Sequence, residues 1–121
     1  VNKLIPAVPD VLWHYTCIDH GHPGIYGSGE VRPNQSGIAW FTDLERPWPD
    51  ALGLTRVSLR CNRSGIRYRI DDTSDVISWL SFRRQEDLSI PLIQELEAFP
   101  GALPRHWFVS VVPVGAVYDP L

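Results

Sequence analysis

Leu12-Trp13-His14-Tyr15-Thr16-Cys17 and Ile38-Ala39-Trp40-Phe41-Thr42-Asp43 are the two stretches whose reading decides the fold. Each is a short aromatic and β-branched run ending in polar groups, the pattern of a buried strand that delivers side chains at its end. Between them, Gly24-Ile25-Tyr26 reads as a short helix or turn in glycine-rich ground. It leads into an extended piece, Glu30 to Pro33, and a turn over Asn34 to Gly37.

Working outward, Pro6 and Pro9 make Val1 to Asp10 an extended arm, and Val11 to Cys17 is the first strand. Asp43 to Asp50 is a proline-punctuated loop, followed by one helical turn over Ala51 to Leu54. Thr55 to Cys61 and Ile66 to Ile70 both alternate polar and apolar residues. With Asn62-Arg63-Ser64-Gly65 between them they predict a β-hairpin. Asp71 to Asp75 offers several N-caps for a short helix over Val76 to Leu80. Leu88 to Ala98 carries the strongest helical pattern, with Ser89 as cap and Pro91 in the first turn, and Pro100, Gly101 and Pro104 stop it. His106 to Val114 is β-forming, and Pro113 places its end at a sheet edge. Strands and helices alternate without a βαβ rhythm, so the expectation is one α+β domain over residues 1–121 with a mainly antiparallel sheet.

At 121 residues the chain has the size of one domain with a real core. Its formal charge of −3 argues against sequence-independent nucleic-acid binding, which needs a surplus of cations. No apolar run approaches the roughly 20 residues of a membrane span, and no signal segment opens the chain. The expected setting is soluble and cytoplasmic, with no membrane partner. Cys17 and Cys61 are then free thiols, too few for a disulfide framework. The sequence contains no Met, which marks residue 1 as a trimmed start.

Three constellations carry possible chemistry. His14, Cys17, His20 and His22 fall within nine residues and offer zinc-type donors. A strand, however, turns His14 and Cys17 to opposite faces, and structural zinc sites clamp separated segments, so no metal is expected and loop histidines are the plainer reading. Cys17 beside histidines lacks the third group of a nucleophilic site. The third constellation is the His-Tyr-Thr strand end, Gly24-Ile25, Gly29-Glu30-Val31-Arg32-Pro33 and Ala39 to Asp43.

That series resembles the opening of ADP-ribosyltransferase-like domains, in particular the compact toxin-type branch with a His-Tyr-Asp style signature. The likeness covers about the first 45 residues. It implies a small bent, mainly antiparallel sheet with short helices around a nucleotide-sized cleft, NAD as substrate, and transfer of ADP-ribose to a protein or nucleic-acid acceptor. Breaking the nicotinamide–ribose bond passes through an oxocarbenium-like state. The site therefore needs hydrogen-bonding groups for the carboxamide and ribose, an aromatic wall and a carboxylate. By resemblance, His14 holds the ribose and carboxamide end, assisted by Thr16 and Thr42. Tyr15, Tyr26, Trp40 or Phe41 supplies the wall, and Asp43 is the carboxylate.

Glu95-Leu96-Glu97 looks like the Glu-x-Glu pair of other branches, but it lies in the helical segment and reads as a solvated face. His106 and Trp107 read first as part of a core or edge strand and second as lining of the cleft. Arg60, Arg67 and Arg69 share one face of the hairpin and read as solvated, which disfavours a phosphate-handling relative such as an RNA 2′-phosphotransferase. The rival from another class is a non-catalytic interaction module that binds and modulates a host or partner protein through exposed Trp anchors.

Overall fold

The computed structural model describes residues 7–16, 22–34, 37–46, 65–86, 90–97 and 102–121. Strand β1 (Leu12–Thr16) is followed by helix α1 (His22–Ser28), β2 (Glu30–Val31), β3 (Ala39–Thr42), β4 (Ile66–Ile70) and β5 (Ile77–Ser78). Helices α2 (Trp79–Gln85) and α3 (Ile90–Glu97) come next, then a 3-10 turn at Pro104–His106, β6 (Trp107–Ser110), β7 (Val114–Gly115) and β8 (Val117–Tyr118). The main sheet runs β5-β6-β3-β1-β4-β8, and all its neighbours are antiparallel. β2 and β7 form a separate antiparallel pair. This is the α+β arrangement expected from the mixed order of elements.

The local reasons are those of ordinary strand and helix chemistry. α1 carries Pro23 in its first turn, where a missing N–H costs nothing, and Gly29 ends it at φ +73 while donating its N–H to the Ile25 carbonyl at 2.8 Å. Gly37, at φ +81, closes the turn before β3 by donating to the Asn34 carbonyl at 2.9 Å.

Because successive strand residues face opposite ways, the sheet sorts its apolar residues into two clusters. Leu12, Ala39, Phe41, Tyr68, Ile70 and Phe108 belong to one, with Ile25 of α1, Val31 of β2 and Val114 of β7 among its members. Trp107 and Val109 belong to the other with Trp79 and Phe82 of α2, and Trp40 and Ile77 pack against it. Trp79 is fully buried, its ring 5.0 Å from that of Trp40.

Several expectations are redrawn. Val76 to Leu80 is not one helix: Ile77 and Ser78 pair with Val109 and Phe108, and the helix begins at Trp79. Ser78 is the cap, accepting the Ser81 N–H at 3.1 Å, whereas Asp72 is spent on Ser74 in the preceding turn. The run from His106 to Val114 divides, with a 3-10 turn ahead of β6 and Pro113 beyond its end. β6 lies between β5 and β3 rather than at an edge. Glu97 does not sit on a solvated face. It accepts from Trp79 Nε1 at 2.7 Å and from Arg83 Nη1 at 2.8 and 2.6 Å, tying α3 to α2. The predicted turn at 51–54, the strand at 55–61 and Cys17, His20, Trp48, Arg60 and Cys61 lie outside the described residues.

Glu97→Ala leaves a buried indole N–H and a half-buried guanidinium without their acceptor, and should cost roughly 2–3 kcal/mol in urea denaturation. Glu97→Gln, whose amide oxygen still accepts from Trp79, should recover part of that loss.

Candidate functional site

β1 lies between β3 and β4, but the two ladders differ. β1 and β4 match over five residues, Leu12 opposite Ile70 through Thr16 opposite Ile66. β1 and β3 match at one pair, Trp13 opposite Thr42. The His14 side chain works at this seam: its Nδ1 lies 2.6 Å from the Trp40 carbonyl oxygen. A carbonyl only accepts, so Nδ1 carries the hydrogen and Nε2 is left with its lone pair in the neutral ring. Burial pushes the His14 pKa below its usual 6.5, and the bond to Trp40 opposes that shift only in part. His14 is therefore a neutral imidazole at pH 7.

The same face of the sheet carries an aromatic row. The Phe41 ring is 5.8 Å from that of His14, His14 stands opposite Tyr68, and Tyr68 opposite Tyr118. Three inter-strand steps of about 4.8 Å give this row a length of roughly 14 Å. Helix α1 borders it: His22 Nδ1 is 2.6 Å from the Tyr68 hydroxyl, and the His22 ring lies 5.5 Å from Tyr26 and 5.1 Å from Tyr118. Burial raises the Tyr68 pKa, so its hydroxyl stays protonated at neutral pH. Tyr26 is 68% exposed and free to meet a ligand.

The residues singled out from sequence thus divide between two faces. His14, Thr16 and Phe41 share one, with Thr16 8% exposed and Phe41 3%. Tyr15, Trp40 and Thr42 belong to the other. The Tyr15 hydroxyl donates to the Leu44 carbonyl at 2.8 Å, and burial pushes its pKa up to about 12 despite the nearby Arg67. Trp40 packs on Trp79 and Trp107. Thr42 Oγ1 accepts the Leu44 N–H at 3.1 Å. These three brace the strands from behind rather than line the His14 face.

Asp43 directly follows β3 and accepts from His106 Nδ1 at 2.7 Å. Its carboxylate is turned toward the β6 side of β3, away from β1.

Tyr68 escaped the reading by sequence as a site residue, and His106 entered it only as a lesser candidate for lining the cleft. The inward phase of Tyr68 was readable from its alternation with Arg67 and Arg69, but its register against His14 is not local information. Arg67 is committed elsewhere. It donates to Glu45 O at 2.7 Å and Asp119 O at 3.0 Å, and its guanidinium carbon is 4.4 Å from the centre of the Trp13 ring. Arg69 pairs with Asp71 and Asp119. Among the described residues no group of three or more His, Cys, Asp or Glu is placed to hold a metal ion, and no helix is long and apolar enough to cross a membrane. A hollow of about 210 Å³ lies beside edge strand β5, lined by Ile77, Phe82, Glu86 and Val109 among others, and none of the candidates reaches it. Comparison with known proteins finds no match among family models, curated proteins or solved structures.

The state of His14 has a thermodynamic consequence. Its folded pKa lies below the 6.5 of an unperturbed histidine, so the unfolded chain takes up the proton first. The stability contributed by its neutral form is complete above pH 6.5 and is lost as pH falls from there through the folded value. His14→Gln can still donate to Trp40 but does not titrate. Urea denaturation at about pH 7.5 and about pH 5 should show a smaller loss for the variant than for wild type.

Proposed function

We propose that this chain binds NAD on the His14 face and transfers ADP-ribose to a macromolecular acceptor, a protein or a nucleic acid. The observation that carries the reading is the placement of His14, its Nδ1 2.6 Å from the Trp40 carbonyl oxygen and its ring 5.8 Å from Phe41, on the strand where the resemblance puts the ribose-binding histidine.

A neutral imidazole with Nδ1 bonded inward offers Nε2 as an acceptor for a ribose hydroxyl. A protonated ring would repel the cationic nicotinamide and the oxocarbenium-like carbon that forms as it leaves, so the depressed pKa suits the chemistry. Exposed Tyr26 is the aromatic surface for a flat group of the dinucleotide, Phe41, 3% exposed, supports the His14 ring from beside it, and Thr16 assists at the end of β1. In this reading Tyr15, Trp40 and Thr42, on the opposite face, act as braces rather than as contacts to NAD.

The reading as an interaction module rested on exposed Trp anchors. Among the described residues Trp79 and Trp107 are buried and Trp13 and Trp40 are half-buried, so those anchors do not favour it. The charge of −3 favours a protein over a nucleic acid as acceptor.

The test is a thermal shift with NAD together with release of nicotinamide. Selective binding to the folded form stabilises it by about 2.7 kcal/mol when NAD is at 100 times its dissociation constant. His14→Ala should abolish the shift and, having lost the bond to the Trp40 carbonyl, fold with lower stability than wild type. Tyr15→Phe, on the opposite face, should lower stability by about 1 kcal/mol through the lost bond to Leu44 and leave the NAD shift in place. If wild type shows neither a shift nor nicotinamide release at millimolar NAD, the transferase reading is wrong.

A further inference from the structure

We propose that His106 is the general base of the reaction and that Asp43 acts by orienting its ring, a proposal that rests on the transferase reading. In this arrangement Asp43 does not meet the reacting carbon. The acceptor is then a hydroxyl, whose proton must be removed as it attacks.

The pair has the geometry of an oriented base. Thr42 opposite Trp107 is the last pair of the β3–β6 ladder, and Asp43 and His106 lie directly beyond it, His106 closing the 3-10 turn. His106 Nδ1 is 2.7 Å from Asp43 Oδ1, with the two side chains 30% and 28% exposed. In the neutral ring, donation from Nδ1 to the carboxylate fixes the tautomer and leaves the lone pair on Nε2, where a proton is taken up. Partial exposure lets an acceptor approach that nitrogen.

The supports on both sides are rigid. Thr42, before Asp43, is 2% exposed and holds the Leu44 N–H; Leu44, after it, accepts the Tyr15 hydroxyl. The His106 N–H donates to the Leu103 carbonyl at 2.9 Å, and the next residue, Trp107, is 6% exposed with its ring 6.0 Å from that of Trp40. Catalysis requires a group to stay within about 0.5 Å of its working position, and packed, hydrogen-bonded neighbours of this kind serve that requirement. The Glu30–Arg32 pair, in contrast, joins residues two apart with the arginine side chain 67% exposed. Phe41 connects the pair to His14, since its ring is 5.8 Å from the imidazole and Asp43 lies two residues, roughly 7 Å of strand, beyond it. For His106 to act as the base, an acceptor hydroxyl beside it must reach a ribose held at His14 along this part of the sheet.

The step balances without another reactant. The bond from ribose C1′ to nicotinamide N1 breaks, and its electron pair goes to N1, which becomes neutral. A hydroxyl oxygen, of water or of a side chain or ribose on the acceptor, forms the new bond to C1′. Its proton goes to His106 Nε2 and from there to solvent.

The experiment measures nicotinamide release with water as the acceptor, and NAD-induced thermal shift, for wild type, His106→Ala and Asp43→Asn. His106→Ala should keep the NAD shift and lose about 100-fold or more in release rate, and added imidazole should restore part of that rate. Asp43→Asn should also be slow, with no recovery by imidazole. His106→Gln, whose amide can still donate to Asp43, should show the same slow release should the alanine variant fail to fold. Release at the wild-type rate in either His106 variant, or a folded His106→Ala that imidazole does not rescue, overturns the base assignment while leaving NAD binding intact. Absence of both signals in wild type instead sinks the transferase reading, and this proposal with it.

Discussion

The bond from His14 Nδ1 to the Trp40 carbonyl is the interaction on which the site depends. It lies where the main sheet is least laddered, between the β5-β6-β3 half and the β1-β4-β8 half, which meet at one in-register pair. An imidazole hydrogen satisfies a strand carbonyl there, so joining the sheet and setting the histidine's tautomer are one event. A side chain at position 14 that cannot donate to the Trp40 carbonyl would lose the joint as well as the tautomer. Burial does the rest, since it disfavours the charged ring more than the bond to Trp40 favours it.

Period-2 alternation then decides what each neighbour can do. Leu12, His14 and Thr16 look one way and Trp13 and Tyr15 the other, as do Phe41 against Trp40 and Thr42. The second face is stiffened by Trp40, Trp79 and Trp107 and by Arg67, which joins Trp13, Glu45 and the C-terminal Asp119. The first face carries the larger apolar cluster, and His14 adjoins it through Phe41, with α1 along its margin.

Much of this was legible in the chain because strands announce themselves locally. The Leu12–Thr16, Ala39–Thr42 and Ile66–Ile70 strands, the short α1 and the helix near residues 90–97 follow from β-branched and aromatic runs, glycine stops and helical spacing. What escaped was set by partners distant in sequence. Ser78 caps α2 because β6 draws Ile77 and Ser78 into the sheet, and Glu97 turns inward because Trp79 and Arg83 wait 14 to 18 residues away. His106 finds Asp43 across 63 residues, and Tyr68 meets His14 only once β4 settles against β1. The motif from Leu12 to Asp43 supplied the right strands, but one string of letters concealed two faces.

The most direct test of the central claim is a long-range nitrogen–proton correlation spectrum of the histidine rings, together with the tryptophan indole N–H signals, recorded while NAD is added. His14 should start as the neutral tautomer with hydrogen on Nδ1, its Nε2 signal should move on addition of NAD, and the Trp79 and Trp107 indole signals should stay where they are. An unmoved His14 with shifting indole signals would put the ligand on the opposite face and contradict that claim.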